Sequence, residues 1–278
     1  MGVLAAFQSV ALFHTLSAAL QSSSTTQIHS NTMAPACENN NPTPPRLSSI
    51  LPPLAKHSRR IYLLRHGETD WNASGKIQGS FDIPLNENGQ RQAVAVAAHL
   101  DDIPIGVVAS SHLSRAKETA DTLWKNRHST TAKPDVIVDA SFAEMSFGEL
   151  EGLVSRDPDL DPMTKRRFST VTERVQRDID FAFPGGGEST AQVEKRAKRA
   201  LYRILKNYPE EKHIAIVSHG RTNKVLISSI AFEDVRKFAQ VRQSNACINV
   251  LDVDENGKWT TQKLNHIEHV KNNVIVRL

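Results

Sequence analysis

The sequence predicts an α/β fold, a three-layer α/β/α sandwich with a mostly parallel central sheet. Short apolar runs that end in polar residues alternate with longer stretches of helical periodicity. Strands that alternate with helices in this way favour a largely parallel sheet with helices on both faces. Hydrophobic residues make up 39% of the 278-residue chain and charged residues 23%, so the chain has enough apolar content for a sizeable core and is not mainly disordered.

Individual elements can be placed from their local patterns. The clearest helix is the stretch 189–206, because its apolar residues fall on one face and Ser189 with Gln192 forms a capping-box pattern at its start. The other predicted helices cover residues 87–100, 113–125 and 221–230, and the predicted strands cover residues 61–64, 106–110, 136–138, 214–218 and 248–253.

The chain divides near residue 58 into a leader and a domain of residues 59–278. Residues 21–57 are rich in proline, serine and asparagine, so we expect them to be disordered. The first twenty residues are apolar and acid-free and resemble a targeting peptide for an organelle (plastid or mitochondrion) or the secretory route. The alternative is a passive extension, with Met33 as an internal start and a cytoplasmic protein.

Charge and cysteine content exclude several classes of protein. Residues 1–60 carry a net charge of +3 and the remaining 218 residues only +1, which argues against nucleic acid as a partner. No uncharged apolar run of 18 residues follows Ser58, so we expect no membrane segment in the mature domain. Cys37 and Cys247 are the two cysteines, which excludes a cysteine-based zinc cluster and makes a disulfide framework implausible.

Three predicted strands lead into basic residues: Arg65 and His66 after the first, Arg115 after the second, and His219 after the fourth. Ligands bind at the carboxyl ends of parallel strands, so these groups should converge there. Two arginines match phosphate oxygens, a neutral imidazole can attack phosphorus, and Gly67 would let the backbone approach a ligand. For each residue alone, a structural histidine or a surface charge is the simpler interpretation.

The string Leu64–Asn72, LRHGETDWN, resembles the signature of the histidine phosphatase superfamily, which has the phosphoglycerate-mutase-like fold. The resemblance runs from residue 60 to about 270. It is carried further by residues 78–89, 111–120, 142–152, 184–189 and 217–220, in the order that the family has them.

The resemblance implies a role for each matching residue. His66 would be the nucleophile that carries a phosphoryl group, and Glu144 would act as general acid and then as general base. Glu68 would support the loop after His66, and Glu188 the start of the following helix. No metal or other cofactor is implied. The implied phosphate ligands are Arg65, Asn72, Arg115 and His219, the last also catalytic, with Gln78 and Gly79 at the edge of the pocket.

The function implied is a metal-independent phosphomonoesterase that acts on a small phosphorylated metabolite. A phosphoglycerate mutase is the alternative, and a catalytically idle binding protein of the same fold is a distant one. Glu144 and Glu188 are 44 residues apart, a shorter interval than in the glycolytic mutases, and this favours a phosphatase. The identity of the phosphate ester and the oligomeric state are left open.

Three other patterns have competing interpretations. His266 and His269 could be metal ligands, but no third ligand has plausible spacing, so we expect solvated or tail-packing histidines. Asp157, Asp159 and Asp161 suggest a solvated loop rather than a calcium site. The basic stretch 165–177 is either a solvated helix face or a lid that attracts an anionic substrate.

Overall fold

A computed structural model of the protein describes residues 45–125, 135–154 and 157–271. Within these ranges six strands form one sheet: β1 (Arg59–Arg65), β2 (Val107–Ser110), β3 (Ile137–Val138), β4 (His213–Ser218), β5 (Ile248–Val253) and β6 (Trp259–His266). The α-helices of the same ranges are α1 (Leu47–Ile50), α2 (Asp70–Ala73), α3 (Glu87–His99), α4 (Ser114–Lys125), α5 (Pro162–Arg177), α6 (Thr190–Asn207), α7 (Gly220–Ala231) and α8 (Glu268–Lys271).

The sheet has the strand order β3-β2-β4-β1-β5-β6. β1 pairs in parallel with β4, and β2 pairs in parallel with both β4 and β3. β5 is antiparallel to β1 and β6 is antiparallel to β5, so the sheet is parallel in four of its six strands. This confirms the predicted mostly parallel sheet. β6 has no apolar run that would predict it, because most of its residues are polar and only partly buried.

The two faces of the sheet are covered by different helices, which gives the three predicted layers. Tyr62 and Leu64 of β1 belong to a buried cluster that also contains Val96 of α3 and Leu123 of α4. The alternate residues of the strand, Ile61 and Leu63, belong to a second cluster with side chains from α6 and α7. Because successive side chains of a strand point to opposite faces, β1 is buried from both sides.

Local capping fixes where two of the long helices begin. Ser189 accepts a hydrogen bond from the Gln192 N–H, and the Gln192 side chain bonds back to Ser189, so the predicted capping box is present. Asp161 caps α5 by accepting a hydrogen bond from the Thr164 N–H at 3.0 Å. The acidic loop before α5 therefore has a structural role in starting that helix.

The basic stretch 165–177 lies within α5, and its charged residues are mostly exposed. One face of the helix is buried instead, through Val171 and Val175, which pack in a cluster with Met145 and Leu150. This is the solvated helix face expected from the sequence. The α5 helix nevertheless covers the segment next to Glu144, so the lid interpretation stays a prediction.

The packed part of the chain begins before residue 59. Residues 47–50 were expected to be disordered, but they form α1, and Leu47 is fully buried in the cluster that α3 and β1 share. The short run Leu47–Ile50 can fold because its one buried leucine meets a surface that larger elements already form. The predicted targeting segment and Cys37 lie outside the described residues. Among the described helices, none combines the length and apolar character needed to cross a membrane.

Candidate active site

The basic residues predicted from the strand ends do converge. Arg65 ends β1, Arg115 lies in the first turn of α4 after β2, and His219 caps α7 directly after β4. β1 and β4 are paired in register from Arg60 to Arg65, which places Arg65 opposite Ser218 and brings the two histidines together. The ring centres of His66 and His219 are 5.1 Å apart.

His66 is held as a neutral imidazole with one nitrogen free to react. Its side chain is 2% exposed, and Nδ1 lies 2.6 Å from the Gly67 carbonyl oxygen, to which it donates. That hydrogen bond puts the proton on Nδ1 and leaves a lone pair on Nε2. Burial lowers the pKa of His66 well below 6.5, and the positive charges of Arg115 and Arg65 lower it further.

Arg115 is fully buried and fixed by two backbone carbonyls. Its guanidinium donates to the Phe81 oxygen at 2.7 Å and to the Gly79 oxygen at 2.9 Å, while Nε has no partner among the described residues. Burial lowers the pKa of Arg115 to about 10, so it keeps its charge at neutral pH. A buried cation held by neutral carbonyls is suited to an anionic ligand.

Arg65 and His219 complete the cationic side of the site. Arg65 donates to the Gln243 oxygen at 2.6 Å, and its Nε has no partner within the described part of the chain. His219 is fully buried, and neither of its ring nitrogens has a hydrogen-bond partner there. Burial lowers the pKa of His219 well below 6.5, and nearby Arg115 adds to this shift. Buried polar atoms without partners are rare in proteins and cluster at sites that receive a ligand.

Glu144 lies at the N-terminus of α7, where backbone N–H groups point at its carboxylate. Oε2 accepts from the Arg221 N–H at 3.1 Å, and Oε1 accepts from the Thr222 N–H at 3.1 Å and from the Met145 N–H at 2.9 Å. A β-carbon built on Gly220 would lie 3.4 Å from Arg65 Nε and 3.7 Å from Glu144 Oε2. The Arg65 and Glu144 side chains are therefore close to each other beside Gly220. Glu144 therefore lies beside the cationic cluster.

An arginine that sequence analysis missed holds the Glu144 segment in place. Arg196 of α6 donates to three carbonyl oxygens of that segment, those of Ser141, Ala143 and Glu144, at 2.8–3.2 Å. Its other donors form a bidentate pair with Glu188 at 2.7 and 2.9 Å. No local motif marks Arg196, because the three carbonyl groups that it binds lie more than fifty residues earlier in the chain.

Glu188 differs from its predicted role. It precedes the N-cap Ser189, but its carboxylate binds Arg196 and also accepts from the Ser146 N–H at 3.0 Å. These contacts lower the pKa of Glu188, although burial opposes the shift. Glu188 thus fixes the loop that carries Glu144 rather than the helix start.

Other carboxylates near the site are already engaged. Glu151 accepts from the N–H groups of Ser80 and Phe147 at 3.0 and 2.8 Å, and Glu149 pairs with Arg167 at 2.6 Å. A Cβ added at Gly79 would come within 2.0 Å of the Glu151 carboxylate, so the loop of Gly79 lies directly against it. Glu149 is thus paired with a cation, and Glu151 fixes the loops that carry Ser80 and Phe147.

The loop after His66 is fixed by a small polar network. Asn72 Oδ1 accepts from Asn245 Nδ2 at 2.9 Å and from Thr69 Oγ1 at 3.2 Å, which leaves the Asn72 amide group to donate. Asn245 also donates to the Gly67 carbonyl at 3.3 Å. Asn245 was not singled out from the sequence. Glu68 accepts from Asn86 Nδ2 at 3.1 Å, which confirms its expected support of the loop.

The structure agrees with the prediction for Gln78 but not with the one for Gly67. Gln78 is 7% exposed, and its Oε1 has no partner among the described atoms, which suits its predicted place at the edge of the pocket. Gly67, by contrast, allows close approach of protein backbone rather than of a ligand. A Cβ there would lie 2.4 Å from the Gly89 carbonyl oxygen, so the glycine lets α3 pack against this loop.

The fold and this cluster define a class of protein, and comparison with known families agrees. Residues 61–267 match the histidine phosphatase superfamily (branch 1). The chain belongs to this superfamily, as the motifs around His66, Arg115 and His219 indicated.

Two curated relatives come from Arabidopsis thaliana. Phosphoglycerate mutase-like protein 4 is 34% identical over 213 residues, which cover 76% of this chain and 86% of the relative. A metal-independent phosphoserine phosphatase is 34% identical over 213 residues, or 76% and 82% of the two chains. Among solved structures, a mycobacterial glucosyl-3-phosphoglycerate phosphatase complexed with VO3 has a TM-score of 0.64 and 28% identity over 75% of this chain and 100% of that one.

Proposed function

We propose that the protein is a phosphomonoesterase that acts on a small phosphorylated metabolite through a phosphohistidine on His66. The observation that carries the proposal is the state of His66, a buried neutral imidazole whose Nδ1 proton is bound by Gly67. Its Nε2 is then a nucleophile among fixed cations, Arg65 and Arg115. The names of the relatives include two phosphatases, which supports the same class of reaction.

The reaction has two steps in this proposal. The lone pair of His66 Nε2 forms a bond to phosphorus, the bond from phosphorus to the ester oxygen breaks, and Glu144 gives its proton to that leaving oxygen. Glu144, now a carboxylate, then takes a proton from water. The resulting hydroxide attacks phosphorus, the N–P bond returns its electron pair to Nε2, and inorganic phosphate leaves with Glu144 protonated again.

The cations supply the electrostatic part of catalysis. Arg65 and Arg115 bind the non-bridging oxygens, and their buried positions make each interaction stronger than it would be in water. A bound dianion would also favour protonation of His219, whose pKa is otherwise held down by burial and by Arg115. His219 could then donate to the transferring group from a nitrogen that has no protein partner.

The substrate is expected to be a small phosphate ester that carries additional negative charge. Arg221 lies 4.9 Å from the Phe238 ring and 5.7 Å from the Phe147 ring, next to Glu144, and Lys224 follows one turn later. These two cations lie beside the phosphate cluster but are not needed to bind a single phosphate. Phosphoserine and phosphoglycerates therefore come first in a substrate panel, followed by sugar and nucleotide phosphates.

The proposal is tested with the full chain in two assays. A metabolite panel measures phosphate release, and acid-labile labelling by the best substrate, carrying ³²P, measures the phosphohistidine. His66→Ala should abolish both signals, and His57→Gln, which removes an exposed histidine, should leave both unchanged. A phosphoenzyme that persists in His66→Ala would refute the assignment. Phosphoryl transfer between positions of phosphoglycerate, faster than release of phosphate, would instead establish the mutase.

A further inference from the structure

Three histidines from distant parts of the chain meet beside the loop that precedes β5 and contains Ala246. His99 ends α3, His266 ends β6, and His269 lies in α8. They are 5%, 9% and 2% exposed, and one ring nitrogen of each lies within 4.8 Å of the others. The sequence-based expectation that His266 and His269 lack a third partner is therefore wrong. Chain spacing cannot reveal His99, which is 167 residues before His266.

The rings are arranged edge to edge. His99 Nε2 lies 2.9 Å from His266 Nε2 while their ring centres are 5.0 Å apart and the ring planes differ by 17°. His269 has its ring centre 5.0 Å from that of His99 and 5.8 Å from that of His266, with plane angles of 18° and 29°. The three ring planes are thus within 29° of parallel, and Nε2 of His99 faces Nε2 of His266.

The dimensions of the cluster suit a metal ion. A point equidistant from the three ring centres lies about 3 Å from each, which matches a zinc–nitrogen bond of about 2.0–2.1 Å plus the radius of an imidazole ring. Three imidazoles with one open position form a common ligand set for Zn²⁺.

His269 supplies an independent reason to expect a ligand. Its Nε2 donates to the Ala246 carbonyl oxygen at 3.0 Å, which fixes the ring and the tautomer. Its Nδ1 is then an acceptor, and this buried atom has no hydrogen-bond partner among the described residues. A histidine that binds a metal typically donates its other ring N–H to a carbonyl oxygen or a carboxylate, which is the arrangement of His269.

The surroundings of the cluster are also suitable. All three rings are buried, and burial favours the neutral imidazole, which is the form in which histidine binds a metal. The carboxylates of Asp102 and Glu268 act on His99 and His266 respectively and favour a nearby cation. Lys263 and Lys271 act on His266 in the opposite sense.

We propose that His99, His266 and His269 form a binding site for a divalent transition-metal ion of the zinc type. The ion would join α3, β6 and α8, and so add to the apolar packing of Val270 against α3 and to the hydrogen bond between His99 and His266. It would stabilise the fold rather than take part in phosphoryl transfer, because the backbone of Ala246 lies between His269 and His66.

In space, Ala246 connects this histidine cluster to the loop that carries His66, through one hydrogen bond on each side. Ala246 has a φ of +54°, in the left-handed region that costs energy for a residue with a β-carbon. Its N–H donates to the His66 carbonyl oxygen at 3.0 Å, and its own carbonyl accepts from His269. Both hydrogen bonds hold Ala246 in this conformation, so a metal that fixes His269 would also hold the backbone behind His66.

The experiment uses the full chain, purified without a histidine tag and treated with a chelator. Calorimetric titration with Zn²⁺ should show one equivalent bound, and the unfolding temperature should rise with the concentration of the metal. His99→Gln should weaken the affinity at least about 10–100-fold, the loss that follows removal of an outer-shell partner alone. His57→Gln, the exposed control, and His66→Ala with His219→Ala should leave the affinity unchanged.

A second measurement does not depend on variants. X-ray absorption at the zinc edge of the loaded full chain should show about three imidazole nitrogens at a bond length of about 2.0–2.1 Å. Failure of the full chain to bind Zn²⁺, equal affinity in His99→Gln, or loss of binding in the variant lacking His66 and His219 would each overturn the proposal. A spectrum dominated by oxygen ligands would overturn it as well.

Discussion

Replacing Glu144 with glutamine should separate proton donation from a purely structural role of this carboxylate. An alkoxide is a poor leaving group, so phosphoryl transfer from an alkyl phosphate to His66 needs a proton as the bond breaks. General acid catalysis of this kind is worth about 10²–10⁴ in rate. A nitrophenolate leaves without such help. Glu144→Gln should therefore slow phosphoenzyme formation by about 10²–10⁴ with an alkyl phosphate and by much less with nitrophenyl phosphate.

The structure also shows why Glu144→Gln should slow phosphoenzyme formation to some extent with both substrates. Glu144 Oε1 accepts from the N–H groups of Met145 and Thr222, so the glutamine oxygen should occupy that position. The amide nitrogen then faces the Arg221 N–H, donor against donor, where Oε2 accepted at 3.1 Å. Leaving one such group without a partner costs roughly 1–3 kcal/mol, less where water can reach it.

The assay is single-turnover phosphoenzyme formation, because Glu144 should also activate water in the second step, which is common to both substrates. Thr222→Val is the matched control. It removes the hydroxyl that bonds Ala143 at 2.7 Å and Glu144 at 3.3 Å but keeps the acid, so it should slow both substrates equally. Equal losses in Glu144→Gln would show that the carboxylate only holds the pocket together and would refute its assignment as the proton donor.

Three further outcomes are expected. Burial lowers the pKa values of His66 and His219 well below 6.5, so the pH profile of kcat/KM, corrected for the ionisation of the substrate phosphate, should show no loss of activity from an imidazole that titrates near pH 7; such a loss would contradict the assignment. Prolonged chelation should leave turnover at 25 °C intact, and activity restored by added Mg²⁺ would disprove metal-independent catalysis. Leu47→Ala should lower the free energy of unfolding in urea by roughly 2–5 kcal/mol, and a change within experimental error would show that α1 is not part of the core.

The strands and helices around the site were predictable because each is specified by its own local pattern. The residues just before Arg65 are all apolar. They form a strand that is buried on both faces of the sheet, and such a strand needs apolar side chains at every position. Ser189 and Gln192 mark the start of α6 within four residues. From such elements the convergence of Arg65, Arg115 and His219 follows from the rule that parallel strands end at one edge.

Features that depend on pairs distant in the chain could not be predicted in this way. Arg196 gives no sign in the sequence that it will bind Glu188 and three carbonyl groups of the Glu144 segment. Likewise, Gly67 has a local pattern that suits a ligand-binding loop, yet its small size is required by the backbone of Gly89 on α3. In both cases the contact depends on tertiary packing, so it cannot be predicted from a local sequence pattern.

The polar atoms without partners indicate why the site is built at a cost to stability. Arg65 Nε, Arg115 Nε, Gln78 Oε1 and both nitrogens of His219 are buried without hydrogen bonds in the described structure. Each such atom costs roughly 1–3 kcal/mol. The two arginine Nε atoms can donate to phosphate oxygens, and so can one nitrogen of His219 once its ring is protonated. A dianion that accepts from the arginines and from His219 would offset part of that cost. The donors that destabilise the free protein would therefore strengthen the binding of the transferring phosphoryl group.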